Sequence, residues 1–237
     1  MVRAHGSFAA PPEHYFADFI EGRRGEILDA ALAVFGEKGY QAGTLREIAS
    51  KVGVSEPALY RHYESKEAIL ADIVATAGDR ISEQMRIGFG AVDGDNVVPM
   101  LHRFIEMRRR GFAPGDLSAS NLELATGDET VPSEHRSGAG GVMHVLFHAA
   151  PHNGTFIGLL REHFGKPLER AVREMIPRVD AHFGIARTSQ ELDARVRVFI
   201  SLFVGYFNTS MLYDAPPNDE AVVDAMLAIM GWSRSAE

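Results

Sequence analysis

The residues best suited to recognition chemistry lie together in one stretch, TLREIASKVGVSEPALYRHYESK, residues 44–66. Leu59 and Tyr63, four apart, would turn one side of a short helix inward. That leaves Glu56, Pro57, Ala58, Tyr60, Arg61 and His62 for the other side. These donors, acceptors and small apolar groups are of the kind that meet base edges and phosphates in a DNA groove. A second set, His144, His148 and His152 with His163 further on, repeats every four residues at first. On a continuous helix His144 and His148 would share a face able to hold zinc, but Pro151 leaves the place of His152 unfixed and no acidic residue stands at zincin spacing. We assign no metal there; pocket lining and ordinary packing or surface histidines stay open. No Ser or Asp falls in a recognisable nucleophile motif, so no catalytic residue is assigned.

Local signals supply the elements that would position the first set. Leu45, Ile48, Ala49 and Val52 fall at i, i+3, i+4 and i+7, giving a short helix with one apolar stripe. Thr44 and Glu47 form a capping box at its start. Gly53 supplies the left-handed closing position, and Ser55 caps a second helix with Pro57 in its first turn. Two short helices across a tight glycine turn describe a helix-turn-helix. Ahead of them, Ile27, Ala30, Ala31, Val34 and Phe35 predict a first helix ending at Gly39, with Phe35 and Tyr40 as its large core members.

The run TLREIASKVGVSEPALYRHYESKEAIL resembles the DNA-binding domain of the TetR family of transcriptional repressors. The likeness includes the glycine turn, the P-x-L-Y-x-H-Y core and a lysine four residues beyond His62. The resemblance implies that Thr44, Tyr60, His62 and Lys66 bind phosphates, which sets register without reading sequence. It implies base reading by Arg46, able to pair bidentately with guanine, and by the start of the second helix. Pro57 and Ala58 would touch a thymine methyl, and Glu56 would accept from cytosine or merely favour the helix dipole. Arg61 would reach base or phosphate; for Tyr60 and His62, core packing is the alternative. Arg23 and Arg24, just before the first helix, would touch phosphate or the minor groove, or else solvent.

Composition frames this reading. The chain has 237 residues, 46% hydrophobic and 24% charged, enough for a core and against wholesale disorder. The net charge of −8 runs against DNA affinity, yet residues 22–71 hold seven Lys/Arg and seven Asp/Glu. The acidic excess therefore belongs to the remainder. The absence of cysteine excludes disulfides and thiolate metal sites and fits a reducing, cytoplasmic compartment. The first twenty residues lack a signal-peptide core, and the run Phe199–Phe207 is under half of the ~20 residues a membrane span needs, so no membrane partner is expected.

We divide the chain into an arm, 1–21, a helix-turn-helix domain, 22–71, and a helical body, 72–237. In the arm, Pro11 and Pro12 mark a break, and Tyr15, Phe16, Phe19 and Ile20 form either an amphipathic turn docked on the body or part of a flexible arm. A long stripe from Ile69 to about Ile87 predicts the helix joining reader to body. Residues 88–96 read as a loop; a calcium loop from Asp93 would need Glu where Phe104 stands. Helices follow at 97–110 and 155–164, and from Lys166 to about Phe183 with a kink or stop near Pro177. Residues 111–141 are broken by Pro and Gly apart from a short candidate, 119–126, and 142–149 is a further short helix.

Two terminal helices are apolar on more than one side. Val196, Phe199, Ile200, Phe203 and Phe207 on one, with Val223, Met226, Leu227 and Met230 on the other, suit a four-helix bundle between two subunits. The resembled family dimerises there; an intramolecular core is the alternative. Candidate walls of an effector cavity are Phe104, Met107, Phe112, Met143, Phe147, Phe156 and Phe164, with Arg108, His144 and His148 as polar fixtures. The expected fold is all-α: a three-helix helix-turn-helix domain, then a larger helical ligand-binding and dimerisation domain. The expected function is a homodimeric repressor released from a palindromic DNA operator by a small apolar effector, with no cofactor. An activator or protein-responsive regulator without a cavity, or a helical enzyme using His144 and His148, are the alternatives.

Overall fold

The computed structural model describes residues 15–110, 154–209 and 219–233, and every regular element among them is helical. They belong to two compact units, one built from residues 8–82 and 132–165 and the other from 83–131 and 166–237, with a few N-terminal residues.

The first unit opens with a turn over 15–20 packed on α1, Arg23–Ala42. Tyr15 and Phe16 are buried. The carboxylate of Asp29 accepts the Phe16 N–H at 2.7 Å and the Ala17 N–H at 2.9 Å, so two amides left over by the turn are satisfied from α1. This end of the arm is a docked turn. Ile27, Leu28, Ala31, Leu32 and Phe35 fill the core side of α1. The helix breaks at Gly39, where φ is 77°, and one further turn carries the chain to Ala42. The stop expected at Gly39 is thus a kink, because glycine tolerates the left-handed angle and the chain regains helical geometry after it.

Then come α2, Leu45–Val52, α3, Glu56–Leu59, and the start of α4, Lys66–Gly90. Later in the chain the unit adds α6, Gly154–Leu160, and a five-residue π-helical turn, Arg161–Gly165. The wider turn frees the His163 carbonyl, which accepts the Ser82 hydroxyl at 2.7 Å, while the His163 ring meets Asp79 at 2.8 Å.

The second unit contains the last two turns of α4, α5, Val97–Arg110, α7, Lys166–His182, α8, Ser189–Thr209, and α9, Asp219–Met230. Pro177 sits inside α7 without ending it. Aromatic rings dominate this core: Phe104 stacks on Phe203 at 4.3 Å between centroids, and Phe89 meets Phe199 and Phe203 edge-on. In the acidic loop after α4, Asp93 accepts from the Asp95 and Asn96 amides, while Asp95 lies 3.5 Å from the His182 ring on α7. Arg178 donates to the carbonyls of Phe89 and Val92 and so caps the end of α4. A buried carboxylate, Asp180, accepts from the Trp232 indole at 2.8 Å and from Arg187 at 2.7 and 2.9 Å. No helix among the described residues is long and apolar enough to cross a membrane.

Candidate nucleic-acid interface

The α2 start is fixed by a full capping box. Thr44 accepts the Glu47 N–H, and the Glu47 carboxylate accepts the Thr44 N–H and hydroxyl, both at 3.0 Å. Lys38 reaches the other oxygen of that carboxylate at 2.5 Å. Hydrogen bonds from Lys38 and then Thr44 hold the Glu47 carboxyl down at about 2. At the other end Gly53 takes φ 77°, ψ 31°, and Val54 donates back to Ala49 at 3.0 Å, closing α2 in a left-handed turn. Ser55 accepts the Ala58 N–H and starts α3 with Pro57 in its first turn.

The inward side of this pair is apolar: Ile48, Ala49 and Leu59 are buried. Beyond Leu59 the α-helical pattern gives way to a turn, with Tyr63 still donating its amide to Leu59. The Tyr63 ring is half-buried and its hydroxyl donates to Asp72 at 2.5 Å. Asp72 also accepts from Arg24 at 2.9 and 2.5 Å and from Thr76 at 3.0 Å. Desolvation alone would raise the Asp72 carboxyl; the bonds from Arg24, Tyr63 and Thr76 outweigh it and hold the group below its ordinary value. Arg24 is therefore a strut between α1 and α4 whose side chain stays half exposed. Arg23 pairs with Glu26 beside it.

The outward side is different. Thr44, Arg46, Pro57, Tyr60, Arg61 and His62 are exposed, Tyr60 to 50%, and Glu56 and Ala58 are half-buried. The side chains of Arg46, Tyr60, Arg61 and His62 make no hydrogen bond or ion pair among the described residues. Lys66 is half-buried, and its ammonium donates to the carbonyls of Tyr40, Gly43 and Gln41 at 2.7, 2.9 and 3.3 Å. Residues 27–73, which include this pair of helices, match the family of bacterial regulatory proteins, tetR family. Over this stretch the chain is similar to the N-terminal domain of tetR-family regulatory proteins.

Curated relatives match over a similarly short length. The HTH-type transcriptional repressor KstR2 of Rhodococcus jostii (strain RHA1) is 43% identical over 53 residues, 22% of this chain and 26% of the relative. The chain thus spans about a quarter of the length of such relatives. Likeness of fold extends much further. The putative transcriptional regulator from Pseudomonas aeruginosa PAO1 superposes with TM-score 0.59 at 18% identity, over 92% of this chain and 93% of that one. FadR from Bacillus subtilis, solved in complex with stearoyl-CoA, gives 0.56 at 14% identity, over 86% and 95%.

The residues expected in the body are divided between the two units. Phe104 is buried in the second unit, whereas Phe156 and Phe164 are buried in the first. Phe112, Met143, His144, Phe147, His148 and His152 lie outside the described residues, as do the short helices expected at 119–126 and 142–149 and the side chains of Met107 and Arg108. Phe104 lines a small apolar pocket with Met100, Leu101, Phe199, Leu202, Phe203, Met226, Met230 and Trp232, which leaves space for about one water molecule. Of the residues expected to meet a second subunit, Val196, Phe199, Phe203, Val223, Met226, Leu227 and Met230 are buried within one chain, and Ile200 is half-buried. The Phe207 side chain lies outside the described residues. The outward faces carry Ala194, Arg197 and Ser201 on α8 and Ala221, Ala225, Ala228 and Ile229 on α9. Spacing found the exposed side of the helix pair. It could not find the Arg24–Asp72 strut, whose partners are 48 residues apart.

Proposed function

We propose that this chain is a homodimeric, sequence-specific transcriptional regulator that represses by occupying a palindromic operator. The observation carrying this reading is the contrast across α2 and α3. Their inner side is pinned by caps, core and the Asp72 strut, while Arg46, Tyr60, Arg61 and His62 project outward with no partner among the described residues. A rigid element presenting unsatisfied donors suits a major groove, where the cost of ordering the side chains' support has already been met by folding. Arg46 would read guanine, Pro57 and Ala58 a thymine methyl and Glu56 cytosine or only the helix dipole, while Thr44, Tyr60 and His62 would set register on phosphates and Arg61 would reach base or phosphate. The match of residues 27–73 to a family of regulatory proteins supports the same reading.

So short a helix reads only a few base pairs, so specificity calls for two copies on a two-fold site. The outward faces of α8 and α9 are the surfaces we assign to the second subunit. A small apolar effector bound in the helical body would favour a spacing of the two readers that cannot span both half-sites, and by linkage DNA would weaken effector binding equally. FadR from Bacillus subtilis, of the same fold, was solved with stearoyl-CoA, whose acyl chain is apolar although its coenzyme A part is large and anionic, so it supports only the apolar part of this reading. Selection from random duplex DNA tests the reading. It should enrich a two-fold-symmetric site with half-sites about one helical turn, or a multiple of it, apart. A pool left unenriched at low salt would remove it.

A further inference from the structure

Lys66 stands in the sequence pattern as a phosphate contact, but its surroundings give it another task. An ammonium has three donors. Here three acceptors surround it, the carbonyls of Tyr40 at 2.7 Å, Gly43 at 2.9 Å and Gln41 at 3.3 Å, and the Tyr40 ring lies 4.5 Å away. Those carbonyls belong to the turn and corner after the Gly39 kink, where a helix end concentrates partial negative charge. The same corner is pressed onto the core: a Cβ on Gly43 would come within 2.9 Å of Val34 and 3.1 Å of Phe35. The next residue is Thr44, the cap of α2, and Arg46 follows two further on.

We propose that Lys66 is a positioning residue for base reading: its ammonium, held on three carbonyls, fixes the corner from which α2 starts and so aims Arg46. This rests on the proposed function, because aim matters only where Arg46 meets a base. A phosphate could recruit the Lys66 ammonium only by displacing one of its carbonyls. The two roles leave different traces. A phosphate contact contributes to the salt dependence of binding and is blind to sequence, whereas a positioning group leaves the salt slope alone and sharpens discrimination at one base pair.

The test uses the full chain and a duplex recovered by selection from random DNA. Lys66→Met keeps an apolar stem and removes the ammonium. We expect an unchanged slope of log Kd against log salt and roughly tenfold less discrimination at the base pair read by Arg46, the size of a lost bidentate contact. Adding Arg46→Ala should then cost nothing more at that position. A purely structural role would weaken binding to all sequences alike by lowering the folded fraction, and would not move the ratio between them. A slope shallower by about one with discrimination intact would overturn the proposal in favour of a phosphate contact.

A second measurement needs no variant and stands if Lys66→Met does not fold. In the unaltered free protein, the Lys66 ammonium protons should exchange with water more slowly than those of exposed lysines, and in the complex they should show no coupling to phosphorus. Fast exchange, or phosphorus coupling, would overturn the proposal. If the unaltered protein enriches no duplex, it is the proposed function that fails, and that is seen before any variant is made.

Discussion

The Tyr63 hydroxyl donates to the Asp72 carboxylate at 2.5 Å, and through that carboxylate the turn after α3 is tied to both α4 and α1. Burial, and then the neighbouring carboxylate, pushes the Tyr63 phenol above its ordinary range, so it stays a donor in any neutral buffer. Tyr63→Phe removes only this hydrogen bond. We expect a loss of about 1–2 kcal/mol in urea unfolding, as for a partly buried bond to a charged group. Asp72→Ala should cost more, because Arg24, Tyr63 and Thr76 lose their acceptor together.

Glu47 links the stability of α2 to pH. Its carboxyl is held at about 2, against an ordinary value of 4.5, by Lys38 first and Thr44 second. A carboxyl depressed by folding stabilises the native state above its unfolded value, and that contribution is lost as pH falls through the folded one. The α2 amide signals should therefore weaken as pH drops from about 4.5 towards 2, with Asp72, also depressed, acting in the same direction. Glu47→Gln should flatten much of this response in an NMR titration. An unchanged profile in Glu47→Gln would show that the capping box is not its source.

Arg46 is exposed and without a hydrogen-bonded partner among the described residues, so its replacement should leave the fold untouched. On the proposed function, Arg46→Ala costs on the order of 1–3 kcal/mol at one base pair and relaxes specificity there. Competition binding with each base substituted in turn measures this. Equal losses on every sequence would rule out base reading by Arg46.

How much of this was legible in the sequence follows from how far apart the partners lie. Thr44 with Glu47, Gly53 and Ser55 act over three or four residues, and the structure places all four in the roles their spacing predicts. Periodicity located α1, α4, α5, α7, α8 and α9, with ends shifted by a few residues where Gly39 kinks and Pro177 does not stop the chain. Contacts between distant residues left no local trace. Arg24 on Asp72, Lys66 on the Tyr40 and Gly43 carbonyls, and Arg178 on Phe89 all pair a cation with a group that has many equivalents in the sequence. The π-helical turn at Arg161–Gly165 also has no motif of its own. Apolar stripes mark burial without naming the partner, which is why Phe199, Phe203 and Met226 suggested a subunit contact and are filled by their own chain's core.

The docking of the 15–20 turn on α1 depends on the smallest side chain. A Cβ on Gly25 would lie 2.5 Å from the Ile20 carbonyl oxygen and 2.9 Å from the Ala17 Cα, both backbone atoms that cannot rotate away. Gly25→Ala must push the turn off the helix, which also pulls the Phe16 and Ala17 amides from Asp29. Overpacking of this kind costs about 1–3 kcal/mol, and the two freed amides add to it unless water reaches them. We expect lower thermal stability and faster amide exchange at Phe16 and Ala17, with the α2 and α3 signals unmoved. Exchange at those two amides equal to that of the unaltered protein would mean that the turn holds to α1 by other contacts.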